Sequence, residues 1–213
     1  MTRLAEYAVR NSQAIISSIG RHFVLFAISM AFAIVIGVGL SIIITREGRE
    51  RFGRVILSIT GAAQAVPSVA VVALAFLFIG IGVRPAIVAL VVYSLVPIVF
   101  NATSGILSVE PGVIQAARGM GLTERQRLWR IKIPLSMPVI MSGIRSAATI
   151  NIGTVTVAAV IGGGGLGDLI YTGLKLNRPD IIFIGATLAA MMAIVVDTIL
   201  AIFERKVTPK GLA

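Results

Sequence analysis

The stretch QAARGMGLTERQRLWRIKIP, Gln115 to Pro134, holds five of the nineteen Lys and Arg residues of the chain and its only Trp. On either side the sequence is apolar for tens of residues. The chain as a whole is 57% hydrophobic and 13% charged, where soluble proteins carry about 25% charged residues. Too few charges are present to coat a soluble core of 213 residues. The apolar residues come in runs of the length a helix needs to span a bilayer, about 20 residues. The composition therefore specifies an all-α polytopic membrane protein.

Five spans are expected: residues 23–45, 55–80, 85–107, 138–161 and 180–203, within a single transmembrane domain covering 1–213. Pro67 and Pro97 lie inside the second and third spans and should kink them, because proline lacks the N–H that an interior helical turn needs. The N-terminal MTRLAEYAVRNSQ is polar, and the apolar run after it is too long for the core of a cleaved signal. With no Cys, neither a disulfide framework nor a thiolate metal site is available.

The net charge of +10 sits in short clusters between the spans, which argues for loops at a membrane face rather than for nucleic acid. Arg46, Arg49, Arg51 and Arg54 follow the first span. Arg118, Arg125, Arg127, Arg130 and Lys132 follow the third, and Arg205, Lys206 and Lys210 follow the fifth. The opposite face holds only Arg3, Arg10, Arg21, Arg84, Lys175 and Arg178. The positive-inside rule then places the N-terminus outside and the C-terminus in the cytoplasm.

In that topology residues 112–134 form the longest cytoplasmic loop. Val113–Met120 favours a short helix, and Gly119 and Gly121 loosen the backbone after it. Thr123 is placed to cap a second helix, with Gln126 as its capping-box partner. Leu128, Trp129 and Ile131 offer an apolar ridge beside Arg125, Arg127 and Arg130, and Pro134 and Pro138 are expected to end the segment. Such a helix fits two settings equally well: lying on anionic lipid, or docking on a protein partner, where Trp and Arg are enriched.

The segment resembles the cytoplasmic motif of the membrane subunits of ABC importers, which reads E-A-A, three residues, G, nine residues, I-x-L-P. Here Gln115, Ala116 and Ala117 open it, Gly121 stands at the glycine, and Ile131, Lys132, Ile133 and Pro134 close it. Gln115 replaces the family's Glu and Ile133 its Leu. Together with VPSVAVVALAFLFIGIGVRPAIVALVVYSLVPIVFNATSGI (Val66–Ile106) and IGGGGLGDLIYTGL (Ile161–Leu174), the likeness covers roughly residues 55–205. It is similar to the osmoprotectant branch, which handles glycine betaine, choline and carnitine. Permeases for methionine and other small solutes share that architecture.

The resemblance implies a type I importer permease fold working by alternating access. Gln115, Ala116, Ala117, Gly121, Leu128, Trp129, Ile131 and Pro134 would form the coupling segment, seated on a cytoplasmic ATPase dimer. ATP and Mg would be bound by that partner, and no cofactor by this chain. An extracytoplasmic binding protein would carry selectivity, and a second permease, copy or paralogue, would complete the pathway.

Other features are read from their chemistry. Gly162, Gly164 and Gly167 satisfy G-x-G-x-x-G after a strand-like run, Thr154–Val160. No Lys-Ser or Lys-Thr pair follows, and the membrane setting favours a close-packed turn over a nucleotide site. A gate or a docking surface is the functional alternative there. Arg145 and Asp197 fall at equal depth in the fourth and fifth spans, and charges at such depth are usually paired. They are expected to pair with each other. In an ion-coupled secondary transporter they would be coupling residues instead. Gln64, Ser68, Asn101, Thr103, Asn151 and Thr154 are polar positions within spans, candidates for helix–helix contacts or a solute path. No metal or catalytic role is assigned to His22.

Overall fold

The computed structural model describes residues 2–208; Lys210 and the side chain of Arg3 lie outside the described set. Every regular element among the described residues is helical. The elements are α1 (Thr2–Arg10), α2 (Ser12–Ile44), α3 (Glu50–Ala63), α4 (Ser68–Ile79), α5 (Val83–Leu107) and α6 (Pro111–Gly119). They continue with α7 (Glu124–Arg127), a π turn (Leu128–Lys132), α8 (Ile133–Ala158), a 3-10 turn (Ala159–Ile161), α9 (Leu166–Lys175) and α10 (Pro179–Val207). Four helical runs are long and apolar enough to cross a membrane, and five if α3 and α4 count as one broken span. In hydrocarbon a peptide group has no partner outside its own segment, so helices are the expected solution. That requirement overrides local preference at Thr154–Val160. The run reads as strand-like from its β-branched residues, yet it continues α8 and its 3-10 turn.

Three boundaries differ from expectation. The first span begins at Ser12 rather than near Phe23. Its early turns are less apolar, but Ile15 and Ile19 pack against Leu166, Leu169 and Ile181, so tertiary contact extends the helix beyond the apolar run. The second span is not one kinked helix: the chain leaves helical geometry between Ala63 and Ser68. Pro67 is extended (φ −63°, ψ 138°) and precedes the first residue of α4. A proline also disfavours helical geometry in the residue before it, so the helix stops instead of bending. Third, Pro134 and Pro138 do not end the segment before the fourth span, since both lie within α8. Pro97, by contrast, sits inside a continuous α5 as expected.

The described residues sort into two compact units. One comprises residues 2–33, 66–94 and 148–197; the other comprises 34–65, 95–147 and 198–208. In the first, Ala86, Ala89 and Ala158 are buried beside Val72 and Ile161. Small side chains let helix backbones approach closely, and this packing replaces the hydrophobic drive that lipid cannot supply. The Gly82 N–H donates to the Ile161 carbonyl (2.7 Å), joining the α4–α5 turn to the 3-10 turn. At the start of α10, Arg178 makes a bidentate pair with Asp180 (2.9 and 2.6 Å) and stands 5.7 Å from the Tyr7 ring centre, which pins α1.

Two fully buried polar side chains in this unit join neighbouring helices. Asn151 is fully buried, and its Nδ2 donates to Ser94 Oγ (2.7 Å) and Ser29 Oγ (3.0 Å). His22 is also fully buried. Its Nε2 lies 3.1 Å from the Ile152 carbonyl, and its Nδ1 lies 3.2 Å from the Leu166 N–H. A carbonyl only accepts and a peptide N–H only donates. The imidazole is therefore neutral, with its proton on Nε2. His22 thereby holds the Gly162–Gly165 turn, in which Gly162, Gly164 and Gly165 take positive φ. The glycine-rich stretch is a turn seated on a histidine, in agreement with the close-packed reading.

In the second unit Ser41 Oγ donates to the Gly37 carbonyl (2.8 Å) and accepts from Thr103 (3.3 Å), joining α2 to α5. Ser136 Oγ donates to the Gly105 carbonyl (2.9 Å), joining α8 to α5. No buried side-chain polar atom among the described residues lacks a partner.

Replacing His22 by Leu removes the acceptor of the Leu166 N–H at the first turn of α9, at a cost of about 1–3 kcal/mol, while the Ile152 carbonyl, inside α8, loses only its second bond. The expected outcome is a lower melting temperature for the detergent-purified chain, with His22→Gln recovering part of the loss.

Candidate functional site

Residues 111–134 fold as two short helices across a tight turn. Pro111 opens α6, where a missing N–H costs nothing. The helix closes with the Gly121 N–H on the Arg118 carbonyl (2.9 Å) and the Leu122 N–H on the Ala117 carbonyl (3.1 Å). Gly121 holds φ +77°, a left-handed conformation that marks helix ends and favours glycine. The glycine of the motif is thus a backbone requirement. Thr123 then caps α7 with the expected capping box: the Gln126 N–H donates to Thr123 Oγ1 (3.3 Å), and the Thr123 N–H donates to Gln126 Oε1 (2.9 Å).

Proline chemistry shapes the entry into α8. Pro134 cannot donate to the Arg130 carbonyl, and its ring crowds that position. The chain responds with a π turn, in which the Ile133 N–H reaches back to the Leu128 carbonyl. One extra residue is absorbed in the turn, and α7 runs on into α8 without a break. Ser136 Oγ takes the Lys132 carbonyl (2.6 Å), satisfying another group of this first turn.

The motif residues divide by exposure. Ala117 is fully buried, whereas Gln115 and Ala116 are exposed. Leu128, Ile131 and Pro134 are half-buried, and Trp129 is 54% exposed. Trp129 stands between two grooves. One, of about 660 Å³, is lined by Arg46, Arg49, Arg125 and Leu128 among others. The other, of about 520 Å³, is lined by Thr123, Arg125, Gln126 and Arg130. The result is an aromatic knob set among Arg46, Arg49, Arg125 and Arg130, with Glu47 and Glu124 also lining the first groove.

Glu47, in the turn between α2 and α3, is the residue that sequence reasoning missed. Its carboxylate accepts from Arg127 through Nε (3.0 Å) and Nη2 (2.8 Å), and from Arg118 through Nη2 (3.0 Å). Arg127 also donates through Nη1 to the Leu122 carbonyl. In sequence Glu47 sits among four arginines and reads as a compensating charge in a basic loop. The Arg127 hydrogen bond, aided by the charges of Arg127, Arg118 and Lys132, holds the Glu47 carboxyl below the usual carboxylate range against a smaller opposing effect of burial.

The intramembrane candidates fall in different places. Arg145 donates to Glu204 (2.8 Å), so its charge is met from α10. The sequence reading stopped the span at Phe203, short of Glu204; the helix runs on to Val207. Asn151 and Thr103 serve helix contacts. Thr154 donates back to the Ile150 carbonyl (2.9 Å) of its own helix. Asn101 donates to the Pro97 carbonyl (2.9 Å) within α5. Gln64 is exposed in the break before α4, and Ser68, half-buried, opens that helix.

A family profile described as the inner membrane component of binding-protein-dependent transport systems matches residues 37–209. The chain belongs to this family of permeases. The permease is 42% identical to the osmoprotectant import permease protein OsmY of Salmonella typhimurium, over 89% of this chain and 80% of that protein. It is 36% identical to the glycine betaine/carnitine/choline transport system permease protein OpuCB of Bacillus subtilis, over 100% of this chain and 97% of that one. Against the carnitine transport permease protein OpuCB of Listeria monocytogenes the figures are 35%, 100% and 96%. A chain of the MetNI methionine ABC transporter in an inward-facing conformation superposes with a TM-score of 0.78 at 21% identity, covering 92% of this chain and 96% of that one. That likeness gives the permease the fold of an ABC importer membrane subunit. The permease is a multi-pass inner membrane protein, and its role is transport.

Because the folded-state pKa of Glu47 is depressed, its contribution to stability is present above the ordinary carboxylate value of about 4.3 and is lost as pH falls through the depressed one. Melting curves of the wild-type permease and the Glu47→Gln variant are therefore expected to stay separated by a constant interval from about pH 6 to about pH 8, and to converge well below about pH 4.

Proposed function

We propose that this permease is the membrane subunit of an ATP-driven importer for osmoprotectants of the quaternary ammonium class, such as glycine betaine, choline and carnitine. The observation that carries the solute class is identity of 35–42%, over 89–100% of this chain, to permeases whose names specify osmoprotectants in general or glycine betaine, carnitine and choline. The chain has thirteen aromatic residues, and its single Trp stands on the coupling segment. A cation–π cage for the solute therefore belongs to an extracytoplasmic binding protein, and the permease supplies a gated passage.

The mechanism follows from the docking surface. With the basic loops in the cytoplasm, Trp129 and Leu128 project toward two ATPase subunits, which bind ATP and Mg. When these close, residues 112–134 move with them. The spans then open toward the binding protein, and hydrolysis resets the inward-facing state. Each permease works beside a second, copy or paralogue. Support for pairing comes from the exposed break Gln64–Pro67 and from the exposed apolar residues at its edge, Val66 and Val69. Non-helical backbone at membrane depth is tolerated only against protein or a water-filled cavity. A second permease with a solute path between them provides both.

The test is reconstitution of the tagged permease with the proteins that co-purify from its native membrane. Uptake of radiolabelled glycine betaine, choline or carnitine that requires ATP, with methionine not taken up, is the expected result. Uptake sustained by an ion gradient without ATP overturns the reading. Leu128→Glu combined with Trp129→Glu is expected to strip the ATPase from the purified complex.

A further inference from the structure

We propose that Glu47 is a positioning residue for the coupling segment, fastening α6 and α7 to the end of the first span. The inference rests on the coupling role proposed for residues 112–134.

Three features of the geometry carry it. First, one carboxylate receives two guanidinium groups from two different helices. Arg127 is bidentate, using Nε on Oε1 and Nη2 on Oε2, while Arg118 shares Oε2. A carboxylate has about four lone-pair sites, so this one serves as a junction rather than as a simple pair. Second, the junction encloses the joint between the helices, because Arg127 also holds the Leu122 carbonyl in the turn between α6 and α7. Both helices and their connection thus hang on one side chain.

Third, Glu47 is firmly mounted. Thr45 is buried, and its Oγ1 donates to the Ser41 carbonyl (2.6 Å). Ser41 is itself bonded to Thr103 of α5 (3.3 Å). Gly48 follows with φ +83°, and the Arg49 N–H closes on the Arg46 carbonyl (2.9 Å). A push on the coupling segment therefore reaches α2 through Glu47 as well as α5 and α8 through the chain. Chain connectivity alone reaches only the latter two.

The two arms differ in strength. The Arg127 side chain is 10% exposed and that of Arg118 is 56% exposed. Water screens the outer arm, and exposed pairs contribute little; the inner arm is shielded. Glu47→Gln should weaken both at once while preserving shape.

The experiment measures solute imported per ATP hydrolysed, in proteoliposomes holding the whole transporter. Glu47→Gln is expected to retain the ATPase through purification and to lower the ratio roughly fivefold or more, the scale of a typical coupling free energy between sites. Arg118→Gln, which removes only the exposed arm, should lower it by a smaller factor. The reversed pair, Glu47→Arg with Arg127→Glu, should recover part of what Glu47→Arg alone loses. A merely structural role would reduce the amount of active transporter and leave the ratio unchanged. An unchanged ratio in Glu47→Gln overturns the proposal. So does loss of the ATPase from that variant, which would make Glu47 part of the docking contact. If Glu47→Gln yields no folded transporter, the ratio in Arg118→Gln decides. Failure of the coupling reading itself shows separately, as ATP-independent uptake by the wild type.

Discussion

Hydrocarbon gives a peptide N–H nothing to bond, and this permease is organised around that single deficiency. Wherever the chain is apolar for long enough, it becomes helix, including stretches such as Thr154–Val160 whose side chains favour strands in water. Wherever it leaves helical geometry, another group takes over the bonding. His22 accepts from the Leu166 N–H just after the Gly162–Gly165 turn and is itself anchored on the Ile152 carbonyl of α8. The Ile161 carbonyl meets the Gly82 N–H. At Pro134 the backbone widens to a π turn, and Ser136 takes the Lys132 carbonyl. These devices are local, and together they let a greasy chain carry turns and breaks at positions where they can move.

The same scarcity explains the polar side chains. Asn151 bonds both Ser29 and Ser94, linking three helices, and Thr103 bonds Ser41, linking two. Apolar contact between helices gains little when lipid is equally apolar, so small residues and single hydrogen bonds set which helices neighbour which. Charges are used more sparingly, and two are met by carboxylates: Arg145 by Glu204, Arg178 by Asp180. Outside the apolar spans the logic reverses. Around the coupling segment charge is plentiful, and one acid among many bases becomes the organising centre.

Much of this was legible in the sequence because bilayer thickness and helix rise constrain spans strongly. The third and fifth spans and the capping box at Thr123 follow from apolar length and cap chemistry. The two short helices of residues 111–134 and the left-handed turn at Gly121 were legible too, through proline, glycine and cap chemistry. What escaped depended on partners distant in sequence. The helical start at Ser12 and the helices α1 and α9 are stabilised by one another's contacts, and nothing in their own composition exceeds the ordinary. Glu204 lay just past an apolar boundary that the helix ignores. Glu47 is 80 residues from Arg127, and a lone acid in a basic loop has many equivalent suitors until the fold selects one. Pro67 was correctly seen as a disturbance. Whether proline bends a helix or ends it turns on what can satisfy the freed groups, and that is tertiary information.

The π turn at Leu128–Lys132 has a consequence for how such a segment can evolve. An α-helix advances about 100° per residue, so the one extra residue held in this turn sets the compass bearing of Trp129 relative to α8. Losing a single residue there would swing the aromatic knob around by about that angle, with Pro134 still lacking the N–H a regular turn needs. Point substitutions can tune the joint's chemistry freely, but its length is a dial with coarse stops. Lineages that inherit the same insertion inherit the same facing. A change of partner that needs a new facing must come through an insertion or deletion, not through gradual drift.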